Sequence, residues 1–148
     1  MGTVEAIYLR PAARVPTREV ARAVAIQGQG LDGDHAGGGR RQVTILSLEA
    51  WRAACGELGQ DVDPRVRRAN VVVAGVDLRR AIGRRLRLGE VEVDVLGETR
   101  PCELMDDDGR VGLDAALRRD RRGGVFGVVE LGGVIARGDD VTLVDPSR

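Results

Sequence analysis

Short hydrophobic runs recur along this chain, the mark of strands, and those around residues 85–96 alternate apolar and polar positions with period two, the spacing of a strand with one buried face. Thr3 to Leu9 (TVEAIYL) is the first such run, and Pro11 and Pro16 end it. Ala21 to Ile26 (ARAVAI), Gln42 to Leu46 (QVTIL) and Ala69 to Ala74 (ANVVVA) follow. Arg85 to Leu88 and Val91 to Leu96 alternate on either side of Gly89-Glu90, which predicts a hairpin. Val125 to Leu131 (VFGVVEL) and Val141 to Val144 are the last runs. The helical spacing is confined to two stretches. One starts at Ser47, a capping residue, and ends at Gly59; the other covers Gly112 to Arg119. Asp77 to Ile82 predicts a helical turn stopped by Gly83, and Asp61 to Arg68 a polar connection.

The pattern therefore predicts roughly eight short strands and two short helices, with strands gathered in hairpins instead of alternating with helices. A mainly β fold follows, an antiparallel barrel or mixed β domain. At 148 residues, with 43% hydrophobic residues and no internal repeat, the chain is expected to form one domain over residues 1–148. Its only aromatics are Tyr8, Trp51 and Phe126, so the core must be built from Val, Leu, Ile and Ala.

Charge narrows the function classes. The 23 basic and 23 acidic side chains cancel, which argues against a nucleic-acid or membrane partner. Every basic residue is arginine. Without a lysine amine the chain can form no Schiff base with pyridoxal phosphate, and no Walker lysine is present. No signal-peptide core and no membrane-spanning run is seen, so the expected location is the cytoplasm, with both cysteines reduced.

The two cysteines differ in setting. Cys55 lies mid-helix in WRAACGEL, where a thiol packs as a small hydrophobe. Cys102 stands just past a strand in GETRPCELMDDDGR, behind Pro101 and two residues from Arg100. A nearby cation favours the thiolate, and proline stiffens its presentation; burial as an inert hydrophobe is the alternative. His35, the only histidine, lies in the glycine-rich stretch QGQGLDGDHAGGG (residues 27–39), which allows close backbone approach to a ligand. One histidine cannot build a His-rich metal site, and Asp32 and Asp34 lack the spacing of a calcium loop. Arg40-Arg41 follows three glycines and Arg121-Arg122 precedes Gly123-Gly124; guanidinium beside exposed backbone N–H suits a phosphate. The remaining arginine clusters, Arg65 to Arg68 among them, read mostly as solvated surface.

In order along the chain, GLDGDHAGGGRRQVTILSLEAW, RRANVVVAGVDL, GRRLRLGEVEVDVLGETRPC, RRGGVFGVVELGG and IARGDDVTL together resemble a MOSC domain, the module named after the C-terminal part of molybdenum cofactor sulfurases. The resemblance spans about Gly2 to Val144 and implies a barrel of the MOSC, pyruvate-kinase-barrel-like type. It further implies molybdenum cofactor (molybdopterin) as ligand and Cys102 as the functional cysteine. Arg41, Arg68, Asn70, Arg100, Arg122, Gly123, Gly124 and His35 would contact the cofactor. Three functions stay open. Cys102 carries a persulfide between a cysteine desulfurase, or another sulfur donor, and a molybdenum enzyme's cofactor. Alternatively, Cys102 ligates molybdenum in a reductase of N-hydroxylated substrates served by a redox partner. Lastly, the barrel binds a small anion without catalysis. The chain resembles neither the desulfurase half of the full sulfurases nor the extra N-terminal barrel of the larger reductases.

Overall fold

The structure is a computed structural model, in which residues 2–101 and 103–144 are described. Seven strands form a closed ring. Its members are β1 (Gly2–Leu9), β5 (Val43–Ser47), β6 (Val71–Ala74), β7 (Arg85–Leu88), β8 (Val91–Glu98), β9 (Val125–Leu131) and β11 (Asp140–Val144). The order round the ring is β11-β7-β8-β9-β5-β6-β1, and pairing of Gly2 with Val141 and Thr3 with Asp140 closes it. β2 (Arg18–Val20) adds to β1 from outside. A separate three-stranded sheet holds β3 (Arg22–Ile26), β4 (Gly30–Leu31) and β10 (Gly133–Ala136). Two α-helices, α1 (Leu48–Leu58) and α2 (Leu113–Arg118), complete the mainly β barrel that the alternation predicts.

Closure leaves only short edges, which removes the hazard of a long unpaired strand. It also creates two apolar compartments. The barrel interior takes one face of each strand: Val4, Ile7, Val43, Ile45, Val71, Val73, Leu86, Val93 and Val129. Outside it, Leu46 and Val72 meet Trp51 and Ala54 of α1 and Leu113 and Leu117 of α2. β5 and β6 are thus buried on both faces, and they are the one parallel pair in the ring, joined by α1 as crossover. This pair departs from the expectation that strands gather only in hairpins. The predicted hairpin forms as expected, with Arg85 opposite Asp94 and Leu88 opposite Val91.

Local signals explain α1. The Ser47 hydroxyl accepts from the Ala50 N–H at its start, and Gly59 caps its end in the left-handed conformation. The Trp51 indole donates to the Val62 carbonyl, 2.7 Å away, so its one polar atom is satisfied inside the core. The polar connection after α1 winds into a 3₁₀ turn over Pro64–Arg67, capped by the Asp63 side chain. Among the described residues no helix is long and apolar enough to cross a membrane.

Candidate anion-binding cavity

Segments that are far apart in sequence converge on one cavity. β1 runs at its end into Arg10, and β8 runs at its end into Thr99-Arg100. Arg41 leads into β5, Arg67 to Asn70 leads into β6, and Gly123-Gly124 leads into β9. Around a cavity of about 210 Å³ stand Arg10, Arg41, Thr44, Arg67, Arg68, Ala69, Thr99, Arg100 and Gly123. Five of these described lining residues are arginines and none is acidic.

A buried polar network sets the floor. Asn70, fully buried, accepts from the Thr44 N–H at 3.0 Å and from the Thr44 hydroxyl at 3.2 Å. Its amide donates to the Tyr8 carbonyl at 3.2 Å and to Asp34 Oδ1 at 3.1 Å. Asp34 in turn takes a bidentate bond from Arg10, at 3.2 and 3.0 Å, and the Arg10 backbone N–H at 2.7 Å. Burial alone would raise the Asp34 pKa; the Arg10 bonds and then the Asn70 amide outweigh it and hold the carboxyl below its ordinary value. The Asp34 side chain is wholly shielded from water, so this pair is a fixed part of the wall.

The other arginines are held in different ways. Arg67 donates to the carbonyls of Gly123 (2.9 Å) and Thr99 (3.0 Å), stitching the approach to β6 onto the loops flanking β8 and β9. Arg68 sits in the left-handed conformation, φ 63°, and its guanidinium donates to the carbonyls of Val15 and Ala12. Its pKa is lowered, first by burial and then by the Arg10 charge. An arriving anion relieves both penalties. The Arg41 guanidinium lies 5.1 Å from the centre of the Phe126 ring, a cation–π contact. Arg100 is 80% exposed and pairs with Glu98 at 3.6 Å.

Gly123 permits the close packing of this wall. A Cβ there would lie 2.5 Å from the Thr99 carbonyl oxygen and 3.0 Å from Pro101 Cδ, so no side chain fits. The Thr99 hydroxyl donates to the Gly123 carbonyl at 2.7 Å. Next to this cavity lies a second of about 210 Å³, sharing Arg100 and Gly123 and adding Glu98, Pro101, Leu117 and Arg118. Pro101, the residue before Cys102, is buried, and its carbonyl accepts from Arg118 at 2.8 Å.

Of the residues singled out from sequence, Arg41, Arg68, Arg100 and Gly123 therefore converge on one cavity, with Asn70 bracing it from beneath. Arg122 and Gly124 line a different cavity, of about 440 Å³, with Ser47, Asp77 and Asp120. Arg122 donates there to Glu57 and to the Ala116 carbonyl. His35 is exposed, its backbone N–H donating to the Arg10 carbonyl, and no residue of the glycine-rich stretch lines the arginine cavity. Gly30 instead approaches the chain's own backbone at Gln42. Cys102, the expected functional cysteine, lies outside the described residues. Cys55 is buried in the outer compartment, and burial above all pushes its thiol pKa up, which makes it inert. Arg10 and Arg67 escaped sequence reasoning, as did the structural part played by Asp34.

The donor set suits an oxygen-rich anion: guanidinium groups gathered around one cavity. Among the described residues no group of three or more His, Cys, Asp or Glu is placed to hold a metal ion.

Comparison with known proteins agrees with this architecture. Residues 32–142 match the family model of the MOSC domain. The structure is similar to that of the YuaD protein from Bacillus subtilis, with a TM-score of 0.79 and 23% identity, over 99% of this chain and 98% of that one. It is also similar to YiiM from Geobacillus stearothermophilus (TM-score 0.77, 17% identity, 98% of this chain and 76% of that one). YiiM from Escherichia coli gives a TM-score of 0.70 at 18% identity, over 99% and 70%. No curated protein matches the chain significantly.

Proposed function

The chain belongs to the MOSC domain family, a family associated with the molybdenum cofactor, and we propose that it holds that cofactor's anionic end in the arginine cavity and carries sulfur on Cys102. One observation supports this above the rest. Five arginines and no acid line the described part of a cavity whose wall runs through Thr99 and Arg100 into Pro101, the residue before the thiol.

Arg41, Arg68 and Arg100 would hold the phosphate. Arg41 stacks over Phe126, a contact that orients its guanidinium. Arg68 is pinned by two carbonyls, so ordering it on binding costs little entropy. Arg10 and Arg67, tied to Asp34 and to the Thr99 and Gly123 carbonyls, shape the wall and add positive potential. When bound, the cofactor supplies a soft metal that takes sulfur ligands.

The protein's own step is thiol chemistry. The Cys102 thiolate attacks the terminal sulfur of a donor persulfide. The donor's S–S bond breaks, its thiolate leaves, and a new S–S bond remains on Cys102. Arg100, two residues away and lightly held, favours the thiolate form. With no lysine, the chain cannot generate the persulfide itself by pyridoxal chemistry, so a cysteine desulfurase or equivalent donor is required.

Intact mass of the protein after incubation with a cysteine desulfurase and L-cysteine tests this. The expected result is a gain of one sulfur atom, reversed by dithiothreitol and absent in Cys102→Ser. A wild-type protein that gains no sulfur while Cys102 still reacts with iodoacetamide would overturn the carrier reading.

A further inference from the structure

The three-stranded sheet β10-β3-β4 has one face in the core and one in water. Ala23, Ala25, Leu31 and Ile135, on its inner face, belong to the apolar cluster of the barrel. Strand alternation turns the residues between them outward. Along β3 these are Arg22, Val24 and Ile26, all exposed. The register sets Val134 of β10 directly opposite Val24, so the two side chains stand together on the outer face. Val24 is 48% exposed, Val134 38% and Ile26 37%. Single exposed apolar residues are ordinary; a cross-strand pair with a third two positions along the same strand is one patch. The edges of the sheet offer no comparable surface. The Val134 and Ala136 N–H groups of the edge strand β10 donate to the carboxylates of Glu90 and Asp139, each at 2.9 Å, and at the other edge β4 spans two residues. A partner for this sheet therefore meets its face.

Charges of both signs flank the patch. The Asp32 N–H donates to the Val24 carbonyl at 2.8 Å, which carries the β3–β4 register one residue past Ala25 and Leu31 and sets exposed Asp32 beside Val24. Arg22 stands two residues from Val24 on the same face of β3. Neither side chain has a hydrogen bond or ion pair among the described residues. We propose that this face docks a second copy of the chain about a two-fold axis, with Val24 and Val134 of each copy against those of the other and Arg22 of each copy meeting Asp32 of the other. A two-fold contact needs a surface that complements itself. Here an apolar centre carries an unpaired cation on one side and an unpaired anion on another, so two copies satisfy both charges twice over. A partner of one charge sign would leave one of them unmatched. The centre is smaller than the roughly 800 Å² per partner of a stable interface, so the association is a weak equilibrium. The inference draws on neither the cofactor nor the sulfur chemistry.

Sedimentation equilibrium over a concentration series tests this. Wild type is expected to dimerise with a dissociation constant of roughly 10–500 μM, as befits a contact below standard size. Val24→Ser/Val134→Ser, at exposed positions, should leave only monomer over the same series. Arg22→Asp and Asp32→Arg should each weaken dimerisation about tenfold, because each sets like charges against one another. Combining them as Arg22→Asp/Asp32→Arg should return the dissociation constant to near the wild-type value, since both reciprocal pairs re-form with their signs exchanged. Misfolding of a single variant cannot produce that rescue. Wild-type protein that stays monomeric to the top of the series would overturn the proposal. Dimerisation unchanged in Val24→Ser/Val134→Ser would overturn it as well, and so would a combined charge variant as weak as either single one.

Discussion

Asp34 shows most sharply how single residues hold this site. Its carboxylate is wholly buried and survives ionised because Arg10 and Asn70 meet both oxygens. Breaking such a pair from one side costs about 3–5 kcal/mol, so Asp34→Asn should lose that much at pH 7 by urea unfolding. The folded pKa lies below the unfolded value. The pair's contribution is therefore complete above about pH 4, the unfolded carboxyl value, and disappears as pH falls through the folded value beneath it. The stability gap between wild type and Asp34→Asn should narrow below pH 4; a gap independent of pH would contradict an ionised pair. Sequence reasoning weighed Asp34 only as a calcium ligand, and read Arg65 to Arg68 mostly as solvated surface. Nothing local marks either role. Arg10 precedes Pro11 and looks like the end of a strand; only the antiparallel β1–β6 pairing sets the end of β1 against the start of β6. Arg41, Arg68 and Arg100 were legible because their motifs occur in order, a property of the whole string.

Among the elements, β8 and β9 pack in very close contact. Their register shifts between Val95 and Gly97, and Gly127 lies in the irregular stretch. A Cβ at Gly127 would stand 2.2 Å from the Asp94 carbonyl oxygen, so Gly127→Ala forces the two strands apart. A loss of about 1–3 kcal/mol is expected, seen as a lowered melting temperature; an unchanged melting temperature would contradict this packing. The hairpin around Gly89-Glu90 was readable from alternation because each strand has one wet face. β2 and β4 were not, for they span three and two residues inside proline- and glycine-rich segments, too short for a period to show. The parallel pair β5–β6 was missed for another reason. Its strands are buried on both faces, so their runs do not alternate, and the crossover through α1 is visible only once Leu46 and Val72 are seen to face the helix layer.

At the scale of the molecule, the ring converts scattered arginines into one site. Arg10, Arg41, Arg67, Arg68 and Arg100 come from four stretches of chain and meet because β8, β9, β5, β6 and β1 lie side by side in the ring. Neutral overall, the protein concentrates positive charge around this one cavity. The most direct measurement is equilibrium binding of molybdopterin cofactor to wild type, to Arg41→Gln/Arg68→Gln, and to Arg119→Gln, whose side chain pairs with Glu57 away from the cavity. Two lost charge-assisted bonds predict roughly 100-fold weaker binding or more in the double variant, with Arg119→Gln matching wild type. Equal affinity in all three proteins would contradict the assignment of the arginine cavity.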